Sequence, residues 1–484
     1  MPEVSLPSTL DPLDIEDFSR LTEQESSSVE GQIAKMDMIR EMIRTRYHID
    51  EERARSRLSS TYTNPSDLDA AIAEECQPIR MFSMPLGDGR SNLIVGKGDA
   101  DDSDENMTTD VFRVMVLAHI DTVESKAPLE LTRDPGGSRL RGRGVFDMGA
   151  AVLNSIVLAA HAQIPKGVQA YFVFVPDEEM NSRGIRKLIQ EWHVFRHLNA
   201  VFSSEIGPVD PVLAAGDSRL SLIRARAGRV KMACNIVVDS DAGHGARRHK
   251  ANATTAKRLM QNRLYDRFYN GHGNEEKEAH RHPIYDVEDF IEEGEDDSHQ
   301  SLHGYAAPDS AQFEFNVKLI PHLATPSSTV ESRVAALVEK FKRWSRGVAK
   351  ADRWPEYHIN HSLVQRDTEA SYSPFEIPVH HPQVALLSRA IRQVTGQEPI
   401  DHFGHSVADE CDVAEAMLRQ HNVPSFTDEL PAVLTVPVRG DGAHACDECV
   451  DEGSILQARE VLRFLLEDPA GYLSLSEAQK GQII

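Results

Sequence analysis

The chain has 484 residues, with 52 Lys and Arg against 76 Asp and Glu, a formal net charge of −24. That balance argues against nucleic acid or an anionic membrane surface as a partner, because phosphates repel so acidic a surface. No stretch reaches the roughly 18 apolar residues that a membrane span requires.

Residues 11 to 47 mix acidic and apolar positions at helical spacing, as in Ile33, Met36, Ile39, Met42 and Ile43. Ser91 to Val95 reads as a short strand. An acidic loop follows over Asp99 to Asp110, and then a buried strand over Val111 to Ile120. Gly149 to Ala162 is expected as a helix, Val168 to Val175 as an apolar strand, Asn181 to Trp192 as a helix and Asn199 to Ser203 as a short strand. Strand and helix patterns alternate, which predicts a largely parallel sheet with helices on its faces.

The texture changes after about Gly216. Residues 220 to 238 are strand-like, Ala251 to Asn262 helical, and 270 to 305 polar and strongly acidic, as a solvated insertion would be. Ala311 to Ile320 reads as a strand, Val330 to Trp344 as an amphipathic helix and Tyr357 to Val364 as a strand. His381 to Thr395 is helical again, and Val423 to Val438 returns to strand character. The expected organisation is one α/β domain, 1–216 and 371–484, interrupted by a smaller α+β domain at 217–370. Five cysteines in so long a chain are no disulfide framework, and Met1 to Leu10 has neither a basic nor an apolar leader region, so a reducing cytoplasm is expected. Cys446 and Cys449, a lone C-x-x-C, are read as incidental.

Chemistry-bearing residues gather just beyond the predicted strands. His119 and Asp121 are two apart, so they share a face in extended chain, and Asp121 can accept the second ring N–H of His119. Taken alone, the pair is a weak signal, and a satisfied surface pair is the stronger reading. Asp147 follows the glycine-rich stretch Arg141 to Gly144 and precedes a small-residue helix, where a plain N-cap is the alternative. Asp177, Glu178 and Glu179 follow the strand ending at Val175; three adjacent carboxylates repel, and a dication would relieve them, although acidic residues also suit a helix start. Glu205 follows another short strand. In open α/β sheets, ligands bind beyond the carboxyl ends of the strands, so several such residues together are more telling than any one. His444, far down the chain, would complete an oxygen-rich, two-histidine set suited to zinc, cobalt or manganese.

Five blocks, 118–123, 142–148, 176–179, 204–207 and 443–448, resemble in order and approximate spacing the motifs of the M20 metallopeptidases. That family includes aminoacylases, acetylornithine deacetylases, succinyl-diaminopimelate desuccinylases and glutamate carboxypeptidases, and the resemblance runs from about residue 15 to 465. It implies a mixed, mostly parallel sheet flanked by helices, the zinc-peptidase-like catalytic domain, carrying an inserted α+β ferredoxin-like lid that usually also dimerises. It implies two divalent ions, zinc foremost, with cobalt or manganese as alternatives. His119, Asp147 and Glu205 would hold one ion, and Asp147, Glu179 and His444 the other. Asp121 would support His119, Glu178 would be the general base, and His244 of the lid would polarise the scissile carbonyl. The implied reaction is hydrolysis of an amide in a small N-acyl amino acid or dipeptide, by a cytoplasmic homodimer with neither nucleic acid nor membrane as partner.

Two departures stand out. Where the family usually places an arginine that grips a substrate carboxylate, this chain has Lys318, which keeps the charge but loses the bidentate fork. The basic run 247–250 ahead of the lid helix is either a solvated turn or an attraction for anionic substrate. A non-catalytic binding protein on the same scaffold, or an aminopeptidase requiring a free α-amine, are the competing readings.

Overall fold

The computed structural model describes residues 9–62, 64–98, 111–205, 219–239, 290–292, 310–319, 339, 358–365, 372–404 and 406–468. Two compact units emerge. The first comprises Met1–Ala225, Ile377–Gly404 and Ala408–Ile484; the second comprises Arg226–Glu376 with His405–Val407. The sequence divisions were expected at 217 and 370.

The first unit begins with three helices, α1 (Pro12–Glu23), α2 (Val29–Leu58) and α3 (Pro65–Cys76). The Asp11 and Ser28 side chains cap α1 and α2 by accepting from the Asp14 and Gly31 N–H groups. Along α2, Met36, Ile39, Met42 and Ile43 form the buried stripe that the periodicity predicts. The strands then run β1 (Ile79–Pro85), β2 (Ser91–Gly98), β3 (Phe112–His119), β4 (Thr132–Arg133) and β5 (Arg139–Arg141). Helix α4 (Ala150–His161) leads to β6 (Val168–Val175), and α5 (Arg183–Glu191) to β7 (Ala200–Ser203) and β8 (Ser221–Arg226).

In the second unit, β9 (Gly228–Asp239), β10 (Phe290–Glu292), β11 (Ser310–Leu319) and β12 (His358–Gln365) form an antiparallel sheet in the order β10-β11-β9-β12. The two-residue strand β13 (Phe375–Glu376) closes this stretch. Lys318 lies on β11, in register with Arg229 of β9. His244, the basic run 247–250 and the expected helix 251–262 lie outside the described residues.

The chain returns to the first unit with α6 (Pro382–Thr395), β14 (Ile400–Gly404), α7 (Asp409–His421), β15 (Ala432–Thr435), β16 (Gly440–Asp441), β17 (Cys449–Asp451) and α8 (Glu452–Glu467). Its main sheet runs β1-β2-β6-β3-β7-β15-β8, with β14 beside β8. The pairs β6–β3, β3–β7 and β7–β15 are parallel, whereas β1–β2, β2–β6 and β15–β8 are antiparallel. The sheet is therefore parallel in its middle and mixed at its margins.

Every residue of β3 and β6 is buried, as strands covered on both faces must be. Each fully buried Val or Phe there contributes about 1.5–3 kcal/mol. Helix α4, mostly apolar and buried from Ala150 to Ala160, packs on β2, β3 and β6 and carries α2 and α8 against it. Helices α5 and α7 pair with one another, and meet β2 and β15 respectively. A second, small sheet of β16-β17-β5-β4 ties the segment before Asp147 to the one after His444. Among the described residues, no helix is long and apolar enough to cross a membrane.

Candidate metal centre

The parallel core fixes where the polar groups emerge. β3 ends at His119, β6 at Val175 just before Asp177–Glu179, and β7 at Ser203 just before Glu205. These three neighbouring strands run the same way, so their carboxyl ends deliver His119, Glu178, Glu179 and Glu205 to one edge. Asp147 comes from the kinked turn Val145–Gly149 that leads into α4, and His444 from the loop between β16 and β17.

All of these meet. Nε2 of His119 lies 3.0 Å from Oδ1 of Asp147 and 3.7 Å from Oε2 of Glu205. Nε2 of His444 lies 3.0 Å from Oδ2 of Asp147 and 3.1 Å from Oε1 of Glu179. Asp147 thus offers one oxygen to each imidazole. Ligand atoms of His119, Asp147 and Glu179 all lie within 4.8 Å of one another. His119, Asp147 and Glu205 are buried, while His444 closes the site from the more open side, its side chain 48% exposed.

Charge shows what the site lacks. Burial, together with Glu205 and Glu179, drives the Glu178 carboxyl well above the ordinary range, and burial with Asp147 raises that of Glu179. Burial opposes the His119 imidazolium, yet Glu205, Asp121 and Asp147 around it raise its pKa well above the usual value. Hydrogen bonds to Asp147 and Glu179 push His444 up to about 10. Burial works against ionised Asp147, but its hydrogen bonds from both imidazoles keep the carboxyl low. An edge of a sheet that packs four carboxylates around two imidazoles is short of positive charge. Mixed imidazole and carboxylate donors suit divalent transition ions.

Asp121 serves differently from the simple face-sharing expectation. Nδ1 of His119 is 3.1 Å from the Asp121 backbone carbonyl and 3.6 Å from its carboxylate Oδ1. The carboxylate instead accepts the backbone N–H groups of Glu178 and Glu179, at 3.2 and 3.1 Å. One residue therefore orients both the histidine ring and the acidic turn.

Sequence reasoning missed three supports. Glu448, 3% exposed, accepts from the N–H groups of Gly144, Phe146 and Asp147 at 2.8, 2.9 and 3.0 Å. Lys35 of α2, buried, reaches Ser26 at 3.2 Å, and burial lowers its pKa to about 8 despite Asp121 and Glu448 nearby. Arg90 binds Asp177 at 2.5 Å, so the first of the three adjacent carboxylates is neutralised by arginine. The partners of Glu448 and Arg90 lie far away in the chain, where local periodicity carries no mark of them.

Residues 115–468 match the description "Peptidase family M20/M25/M40". Among solved structures, the di-peptidase Dug1p of Saccharomyces cerevisiae is 15% identical, with 96% of each chain covered and a TM-score of 0.58. Human carnosine dipeptidase 1 is 14% identical, with 96% of this chain and 97% of that chain covered and a TM-score of 0.56. The Bacillus subtilis YXEP protein, titled a dinuclear metal binding peptidase from the M20 family, is 14% identical over 94% of this chain and 98% of its own, with a TM-score of 0.52. At these identities the likeness is one of fold. No curated protein matches the sequence.

Proposed function

We propose that this chain, which belongs to peptidase family M20/M25/M40, hydrolyses the amide bond of a dipeptide or small N-acyl amino acid with the help of two divalent ions. Family membership makes it a metal-dependent hydrolase. The observation that carries the finer reading is the convergence of His119, Asp147, Glu179, Glu205 and His444, with Asp147 turned to both imidazoles. His119, Asp147 and Glu205 would hold one ion; Asp147, Glu179 and His444 the other. Zinc suits this donor set, and cobalt or manganese would also fit. When bound, the ions supply the positive charge that lowers the pKa of water and polarises a carbonyl.

The chain's own groups divide the remaining work. The Asp121 carbonyl accepts the hydrogen bond of Nδ1–H of His119, which leaves Nε2 to face Asp147 and Glu205. Glu178, left out of both ligand sets, is the general base: it accepts a proton from the attacking water and returns it to the leaving nitrogen. Its backbone is fixed by the Asp121 carboxylate. On the family resemblance, His244 would stabilise the developing oxyanion, Lys318 would meet a substrate carboxylate, and the inserted domain would pair two copies of a cytoplasmic enzyme. The dipeptidase neighbours support the dipeptide reading.

The test is Glu178→Gln. Turnover is expected to fall by about 10²–10⁴ with bound metal unchanged. Parental turnover in this variant would remove Glu178 from the base role. A panel of dipeptides, N-acyl amino acids and unblocked longer peptides separates the three readings: cleavage of unblocked peptides alone marks an aminopeptidase, and metal binding without turnover marks a binding protein.

A further inference from the structure

The turn that carries Glu178 and Glu179 is gripped from two sides. On one side the Asp121 carboxylate accepts both of their backbone N–H groups. On the other stands Asp177. Its φ is +75°, the left-handed region that residues other than glycine avoid. Its carbonyl accepts the N–H groups of Asn181 and Ser182, at 3.0 and 2.6 Å, which closes the turn around it. A backbone in this region persists only where its surroundings insist on it.

Arg90 supplies that insistence. Its Nη1 donates to Oδ1 of Asp177 at 2.5 Å and to Oε1 of Gln32, on α2, at 2.9 Å. Its Nε and Nη2 donate to Oδ2 of Asp88 at 3.1 and 2.7 Å, and its own N–H reaches Oδ1 of Asp88 at 3.1 Å. The Arg90 side chain is 5% exposed, and its guanidinium is held by the β1–β2 turn and by α2 as well as by Asp177. A planar, five-donor fork satisfies three acceptors at once; an ammonium on a flexible stem does not. Gln32, Asp88 and Arg90 all precede the segment 115–468 that carries the family match.

We propose that Arg90 is a positioning residue for hydrolysis: through Asp177 it sets the backbone from which Glu178 and Glu179 project. Arg90 acts through its contact with Asp177, and the proposal rests on the reading of Glu178 as the base. Displacing a catalytic group by about 1 Å can cost about 10²-fold in rate. Arg90→Met keeps the length and removes the fork. Asp177→Asn keeps the shape and removes the charge, so it tests the same contact should Arg90→Met fail to fold.

The experiment measures kcat, KM and metal equivalents on monodisperse, zinc-loaded parent, Arg90→Met, Asp177→Asn, Arg90→Lys and Glu178→Gln. A tenfold or greater loss of kcat in Arg90→Met and Asp177→Asn, with KM within threefold and metal unchanged, is the expected result. Arg90→Lys should recover only part of the loss. A purely structural role would lower the unfolding midpoint and leave kcat per loaded molecule intact, and that outcome overturns the proposal. So does a loss explained by KM or by missing metal. If Glu178→Gln is inactive while both Arg90→Met and Asp177→Asn are fully active, Arg90 alone loses its role. If Glu178→Gln is fully active, the base assignment falls and the Arg90 proposal with it.

Discussion

Glu448 offers the sharpest test of how the centre is built. Its carboxylate sits 3% exposed, and its two oxygens serve three backbone donors: Oε2 takes the Gly144 N–H, and Oε1 takes those of Phe146 and Asp147. Glu448→Ala leaves three buried N–H groups without their acceptors. Each unmade bond costs about 1–3 kcal/mol, so the uncorrected sum is about 3–9 kcal/mol. Water entering the vacated space would restore part of it, leaving a net loss of about 3–5 kcal/mol. Glu448→Gln with its oxygen at the Oε1 position keeps two of the three bonds, and should cost only about 1–3 kcal/mol. The same turn presents Asp147 to both imidazoles, so Glu448→Ala should also weaken zinc binding by about 10–100-fold. Guanidinium unfolding of metal-free protein reads the first effect, and competition with a chromophoric chelator reads the second. If Glu448→Ala unfolds within about 1 kcal/mol of the parent and binds zinc as tightly, the amide cradle is not what shapes the Asp147 turn.

Two further expectations concern the frame around the centre. Arg46 of α2 is ion-paired with Asp14 at 2.9 Å and donates from Nε to Asp17 at 2.6 Å, all three nearly inaccessible, so Arg46→Met should destabilise by about 3–5 kcal/mol in a denaturant melt, and a loss below about 1 kcal/mol would contradict the ion-pair reading. Lys97, fully buried with Nζ 2.6 Å from the Ala160 carbonyl, has its pKa lowered by burial to about 8, against the partial opposition of Asp50, Cys76 and Glu467. The unfolded chain then binds more protons than the native one between pH 8 and about 10.5, so native stability rises with pH across that window. Relative to Lys97→Met, the parent should gain roughly 2–3 kcal/mol between pH 7 and 10; an unchanged difference would place the ammonium in solvent.

Much of the site was legible because its residues follow strong local signals. The run Val168–Val175 is apolar throughout and bounded by polar residues, and the strand occupies the same span. The residues that follow it, and those after His119 and Ser203, lie just beyond strand ends, as the local pattern predicts. The strand directions were less legible. β2 is nearly as buried as β3 and β6, so its pattern resembles theirs, although both of its pairings are antiparallel. The strands β4, β5, β16 and β17 are two or three residues long, too short for an alternation to be read. Glu448 stood inside a recognised block, but its role depends on amides some 300 residues earlier. Arg90 and Lys35 looked like ordinary charged positions; only the tertiary fold turns them toward Asp177 and Asp121.

The central claim is that this edge of the sheet is a two-ion hydrolytic centre. It is tested most directly by counting metal per chain and measuring dipeptide and N-acyl amino acid hydrolysis on one sample, before chelation, after it, and after zinc is restored. Two equivalents of metal, turnover lost with the chelator and regained with zinc, and neither metal nor turnover in Asp147→Ala are the expected results. Hydrolysis that survives complete metal removal, or full turnover by Asp147→Ala, would contradict it.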